Sequence, residues 1–354
     1  MVKLVLEPRL NPNRLMMIGA PVLAFCLTLA ASSALLIGLG FNPITTFYYF
    51  FLSPLETANG LSEWLLKASP LILIGLGLTV GFRANVWNIG AEGMFIMGAI
   101  PATVLAVHFG DQQSMFLLPA MIIAGILGGM AWACIPAFLR VWGNANEILV
   151  TLMLNYIAQL ILAYLVNGPL RDPDGFNYPQ SPPFEPSAMF SPLFDGMRLN
   201  ASIFMTAIAA ILTFIFLERS FAGFQMNVGG AAPVAARYAG FSQSRSVWIG
   251  LLVSGATTGL AGMMEVAGPL GQLTPVISPG YGYIAIIVAF IGRLGAGGVV
   301  FGGLLMSLLF MGGENVQISL NLPSALTKSF QGMLLFFLLA ADVLINFNIR
   351  LKGR

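Results

Sequence analysis

The chain has 354 residues, of which 57% are hydrophobic and 8% charged, where a soluble domain carries about 25% charged residues. Lysine and arginine (16) exceed aspartate and glutamate (14) by only +2, and no basic run exists, so neither a soluble fold nor nucleic-acid binding is in prospect. What remains is an all-α polytopic membrane protein, 1–354, with a single transmembrane domain.

An apolar run needs about 20 residues to cross a hydrocarbon core of roughly 30 Å. In chain order the candidates are Leu15 to Phe41, Leu65 to Phe82, Ile89 to Val107, Met115 to Leu139, Ile148 to Val166, Ala201 to Leu217, Val247 to Gly268, Tyr283 to Ile291, Val299 to Met311 and Phe330 to Phe347. The eighth and ninth are short, and the glycine-rich link Arg293 to Gly298 between them could mark a re-entrant pair. Eight to ten spans are therefore expected, with ten as the working count. The first run exceeds a signal-peptide core in length and reads as a retained span. Cys26 and Cys134 sit inside apolar runs and read as small buried residues, with neither a disulfide nor a metal site.

Basic residues set the orientation. With the N-terminus inside, the inner side holds Lys3, Arg9, Arg14, Arg83, Arg140, Arg219, Arg237, Arg245, Arg293, Arg350, Lys352 and Arg354, and the outer side only Lys67, Arg171, Arg198 and Lys328. That bias predicts an even number of spans and cytoplasmic N- and C-termini. Spans two to five and seven to ten then begin from opposite sides, giving two inverted halves, an arrangement common among transporters.

Two polar clusters interrupt the apolar runs. In the first, Asn85, Trp87, Asn88 and Glu92 with Gly90 and Gly93 loosen a helix, and protein, water or substrate must satisfy the freed backbone. One reading is a broken helix on a substrate pathway. The other is a cytoplasmic turn with an interfacial Trp87, in which Glu92 complements the helix macrodipole. In the second, Glu147, Thr151 and Asn155 recur at i, i+4 and share one helix face. That polar face lines either the pathway or a helix interface. Glu265, Glu314 and Asp342 are the remaining acids in or near apolar runs.

The outer loop 168–200 is rich in proline and aromatics and reads as a packed segment, either an external landing surface or a loop that merely covers the outer helix ends. The cytoplasmic loop 218–245 contains a short helix, with Pro233 in its first turn and Gly240 closing its end. Gly268, Pro269 and Gly271, then Ser278 to Tyr283, mark another break on the outer side, either a hinge or a plain turn.

Three of these stretches resemble a known family. GFQMNVGGAAPVAARYAGFS resembles the cytoplasmic coupling loop of ABC-importer permeases of the sugar, nucleoside and branched-chain amino-acid group. Pro233, Ala235, Ala236, Arg237, Tyr238, Ala239 and Gly240 fit the pattern, while Asn227, Ala232 and Val234 depart from it where Arg, Asn and an acidic residue are expected. NVWNIGAEG and NEILVTLMLNYIA resemble the matching segments of nucleoside-type permeases. The resemblance implies that Ala235, Ala236, Arg237, Tyr238 and Gly240 couple to a separate ABC ATPase. It also implies a second permease subunit forming a heterodimer, an external substrate-binding protein, and residence in a bacterial inner membrane. ATP then belongs to the partner, and no cofactor to this chain.

No GxxxxGK[ST] loop is present, since Lys3, Lys67, Lys328 and Lys352 all lack the preceding glycine pattern. The expected function is the permease subunit of an importer of nucleosides, with Asn85, Trp87, Asn88, Glu92, Thr151 and Asn155 on the substrate pathway. A simple-sugar importer is the alternative. A proton- or sodium-coupled carrier using Glu92 and Asp342 is the rival class, and a membrane enzyme ranks third.

Overall fold

The computed structural model describes residues 3–8 and 14–352; Arg9 and Arg354, two of the cations assigned to the inner side, lie outside them. In chain order the elements are β1 (Lys3–Pro8), α1 (Arg14–Gly38), α2 (Pro43–Phe47), α3 (Ala58–Arg83), α4 (Ala91–Phe109), α5 (Leu117–Trp142), α6 (Glu147–Asn167), α7 (Ser202–Arg219), α8 (Phe221–Ala231), α9 (Pro233–Tyr238), α10 (Gln243–Glu265), α11 (Tyr281–Ile291), α12 (Ala296–Leu320), α13 (Ser324–Asn346) and β2 (Phe347–Lys352). Each of the ten apolar runs falls on a helix. Among the described residues, seven helices, α3 to α7, α10 and α12, are long and apolar enough to cross a membrane.

The chain divides into two compact units, Met1–Gly60 with Leu308–Arg354, and Leu61–Ser307. In the first, β1 and β2 pair antiparallel with Lys3 opposite Lys352, so both ends of the chain meet in one ribbon. This ribbon is an addition to the expected helices. Phe47, Phe50, Phe51 and Phe330 cluster with ring centroids 5.0–6.4 Å apart. The Asn315 amide donates to the Tyr49 carbonyl at 2.9 Å, meeting an acceptor where the helix loosens into a π-turn.

In the second unit α3 is central. Leu71, Leu73, Ile74, Leu76 and Leu78 are fully buried on every side of it, as a helix apolar all round requires. Helices α4, α5 and α10 cross through glycine: a Cβ on Gly98 would strike the Gly259 backbone, and one on Gly129 would strike Gly255. Small residues let helices approach where no hydrophobic effect drives them together.

Contacts fix the helix directions. Gly77 meets Thr257 and Gly81 meets Gly250, so α3 and α10 are antiparallel. The same α3 lies parallel to α7, with Ser69 on Thr206 near its start and Arg83 on Glu218 at its end.

Two expectations are revised and one holds. The ninth apolar run is no stub but the 25-residue α12. The cytoplasmic loop carries a second helix, α8, which its glycines disguise. The eighth run stays short at 11 residues. The non-helical segment 271–280 precedes it, and the expected break follows it at 292–295.

Candidate functional site

Helix α3 ends at Arg83, residues 84–90 are non-helical, and Asn85 adopts φ 56°. At the Arg83 end Trp87 stacks near Phe82 and Phe290, with centroids at 5.2 and 5.8 Å, and its indole donates to Asn85 Oδ1 at 3.0 Å. Trp87 and Tyr283 are each 37% exposed. Asn85 is exposed too, so Asn85 and Trp87 face outward, whereas the Tyr283 hydroxyl also reaches the buried residues.

Asn88, Glu92, Thr151 and Asn155 are buried and come together. Each of them makes at least one hydrogen bond that holds the unwound backbone or a helix end. Asn88 Oδ1 accepts from the Gly90 N–H at 2.8 Å, and its amide donates to Ser254 Oγ at 2.8 Å. Thr151 Oγ1 accepts from the Ile89 N–H at 3.2 Å. Asn155 Oδ1 accepts from the Gly93 N–H at 2.8 Å, while its Nδ2 donates to the Ile89 carbonyl at 2.9 Å and the Tyr283 hydroxyl at 3.1 Å. Backbone freed from a helix inside a bilayer needs such partners, and here protein supplies them.

Glu92 faces a second broken element. Its Oε2 accepts from the Gly282 N–H at 2.8 Å, and the Ser278 hydroxyl is its other donor. Ser278 Oγ in turn accepts from the N–H groups of Gly280 and Tyr281 at 3.0 and 2.9 Å, capping α11. The first turns of α4 and α11 therefore abut, with Gly282 packed on the Ala91 and Glu92 backbone. Two helix N-termini are two partial positive charges, and the Glu92 carboxylate lies between them. At 1.5 Å per residue, the length of α11 puts this junction about 16 Å from the Leu294 end, near half the hydrocarbon thickness.

Ser254, Ser278, Gly282 and Tyr283 were not singled out from sequence as partners of this junction; only the Ser278–Tyr283 break carried a signal. Glu147, expected on the polar face, is paired with Arg140 at 3.2 Å. Trp132 Nε1 and Thr258 Oγ1 are buried without a hydrogen-bond partner among the described residues. The side chain of Asp342 lies outside the described ones. Glu265 sits at the outer end of α10 near Arg198, Lys67 and Glu63.

The loop 218–245 folds as helix, turn, helix. Ser220 and Ser242 cap α8 and α10, and Gly240 closes α9 at φ 78°. Ala236 is buried, whereas Ala235, Arg237 and Gly240 are exposed. Val234 and Tyr238, one turn apart, are 71% and 92% exposed at the tip. Gly230 of α8 packs on the Arg83 and Ala84 backbone, and Met226 joins a cluster with Val80, Ala84, Val86 and Leu251. The loop thus bears directly on the start of the unwound segment. A cavity of about 330 Å³ lies behind α9, lined by Ala84, Gln225, Arg237, Ser242 and Ser246 among others.

A family profile described as branched-chain amino acid transport system / permease component matches residues 60–339, which holds both the junction and the loop. The chain belongs to this family. The permease is 34% identical to a glucose ABC transporter permease protein of Haloferax volcanii, over 98% of its own length and 94% of the relative's. It is 28% identical to a guanosine ABC transporter permease protein of Bacillus subtilis, over 96% and 99% of the two chains. With a nucleoside ABC transporter permease protein of Lactococcus lactis it shares 26% identity, over 92% of each. No solved structure matches. The permease is therefore a multi-pass membrane transport component of the sugar and nucleoside ABC type.

Proposed function

We propose that this permease moves nucleosides through an ATP-driven importer by alternating access, with a separate ATPase docking on α9. Ala235, Ala236, Arg237, Tyr238 and Gly240 form or close the knob that the ATPase moves. Asn85 and Trp87 face the pathway, and Asn88, Glu92, Thr151 and Asn155 hold its wall from behind. The pathway is completed by a second permease chain, and cargo arrives on an external binding protein. The chain sits in the inner (plasma) membrane of a bacterial cell with ten spans and both termini cytoplasmic. The abutting breaks before α4 and α11 support two inverted halves, since one enters from each side.

One observation carries the choice of cargo. Trp87, Phe82 and Phe290 pack their rings into an aromatic face, with Trp87 partly exposed, which suits a neutral ring system. The second reading, a simple sugar, is favoured by the glucose relative at 34% identity.

Uptake of labelled nucleoside into vesicles containing the permease, its ATPase and the second permease tests both. Uptake that is lost with a Walker-lysine variant of the ATPase and competed by unlabelled nucleosides, but not by glucose, is expected. Competition by glucose instead assigns the sugar. Uptake that survives the variant and collapses with an uncoupler makes this a secondary carrier.

A further inference from the structure

The outer loop ends in a feature that neither the junction nor the coupling loop explains. Residues 171–180 close on themselves: the Asp172 N–H donates to the Gln180 carbonyl at 2.8 Å, the Tyr178 N–H to the Gly175 carbonyl at 2.8 Å, and the Asp174 N–H to Asp172 Oδ1 at 3.1 Å. At the apex Phe176 is 100% exposed, with Tyr178 at 68%. Phe176 and Asn177 both occupy the left-handed region, at φ 48° and 71°. A bulky residue held there is uncommon and strained, and strain of this kind concentrates at functional surfaces.

The base of this apex is tied to the broken half of the fold. The Ser181 N–H donates to the Leu273 carbonyl at 2.9 Å, and the Leu273 N–H returns to Ser181 Oγ at 2.9 Å. Gln272 Nε2 reaches Gln180 Oε1 at 3.3 Å, and the Phe184 N–H donates to the Gly271 carbonyl at 2.7 Å. From Leu273 the chain runs straight to Ser278 and Gly282, the residues that hold Glu92.

We infer that this apex is the anchor on which the external substrate-binding protein docks, Phe176 filling an apolar socket with a basic rim. The inference rests on the importer reading, in which such a partner exists. Charge selects the partner: loop 168–200 holds Asp172, Asp174, Glu185 and Asp195 against Arg171 and Arg198, and Asp172 and Asp174 lead directly into the apex. An anionic lipid surface would be repelled, whereas a basic rim would be steered on. An aromatic anchor inside a charged ring is how binding energy concentrates in protein interfaces. Docking there pulls on 271–273, and through Ser278 on the α4–α11 junction.

The test uses the whole transporter in nanodiscs and the purified binding protein of the same system, with binding followed by interferometry at two salt concentrations. F176A is expected to weaken binding at least tenfold, F176W to retain it, and D172N/D174N to slow association and flatten its salt dependence. ATPase retention and basal ATP hydrolysis should stay at wild-type levels in all three, which separates lost docking from lost folding. Wild-type affinity in both F176A and D172N/D174N overturns the anchor while leaving the importer intact. A wild-type transporter that binds no binding protein and shows no ATP-driven uptake overturns the importer reading itself. Quenching of the F176W indole by brominated lipid would place the apex in the bilayer and also overturn the proposal.

Discussion

Glu92 illustrates how a buried acid in a membrane protein invites a transport role that its contacts do not require. Its carboxylate caps α11 through Gly282 and Ser278 while sitting in the first turn of α4. Glu92→Ala leaves that N–H unpaired where no water competes, so a loss of about 1–3 kcal/mol is expected, read as a lower melting temperature in detergent. Glu92→Gln keeps an acceptor and should lose less. An alanine variant as stable as wild type would sink the capping role. Asn155 makes the complementary case, because its amide both donates and accepts. Asn155→Leu should cost more than Asn155→Asp, which retains the acceptor for Gly93, and equal melting temperatures for the two would contradict this. Thr258 offers a control of opposite sign: its hydroxyl is buried and unpartnered, so Thr258→Val should be neutral or stabilising. Sequence exposed these residues as polar intruders in apolar runs. It left open what they touch, since Asn155 and Tyr283 are 128 positions apart.

At the scale of elements, helix existence was legible and helix contacts were not. Length and apolarity located α3 to α7 because a span is a local requirement of about 20 residues. Helix α8 escaped because Gly223, Gly229 and Gly230 disguise it, yet two of these glycines answer a packing need: Gly230 sits on the Arg83 backbone and Gly223 on that of Phe216 and Leu217. The same logic governs the α4–α5–α10 crossing. Gly259→Leu should separate these helices and abolish monodisperse protein on size exclusion. Gly297→Ala, with open space around its Cα, should be neutral or mildly stabilising, since alanine exceeds glycine by about 1 kcal/mol in helix propensity. A well-behaved Gly259→Leu protein would show that the close crossing is dispensable.

For the molecule as a whole, the loop 218–245 and the unwound segment pack together within Leu61–Ser307. Helix α9 leads back into α8, Gly230 of α8 rests on Arg83 and Ala84, and residues 84–90 lead into α4. Substituting Arg237 and Tyr238 together by alanine should cut uptake at least tenfold while the ATPase still co-purifies. Unchanged uptake with unchanged ATPase binding would remove them from the coupling path. Sidedness is checked by membrane-impermeant thiol labelling in a background lacking Cys26 and Cys134. Phe176→Cys should react from outside and Tyr238→Cys only after permeabilisation, and the reverse pattern would invert the orientation.

The sequence by itself determined the membrane class and the family resemblance, and it set the expected sidedness that the labelling tests. Each of these depends on composition, on charge near helix ends or on a contiguous motif, and such signals survive in one dimension. Only the tertiary structure decided that the breaks before α4 and α11 meet, that Glu92 lies between two helix N-termini, and that the outer loop is laced to 271–273. These rest on contacts such as that of Glu92 with Gly282, 190 residues away. Local periodicity carries no record of pairing at that distance, because the unwound segments satisfy their hydrogen bonds across the fold instead of along the chain.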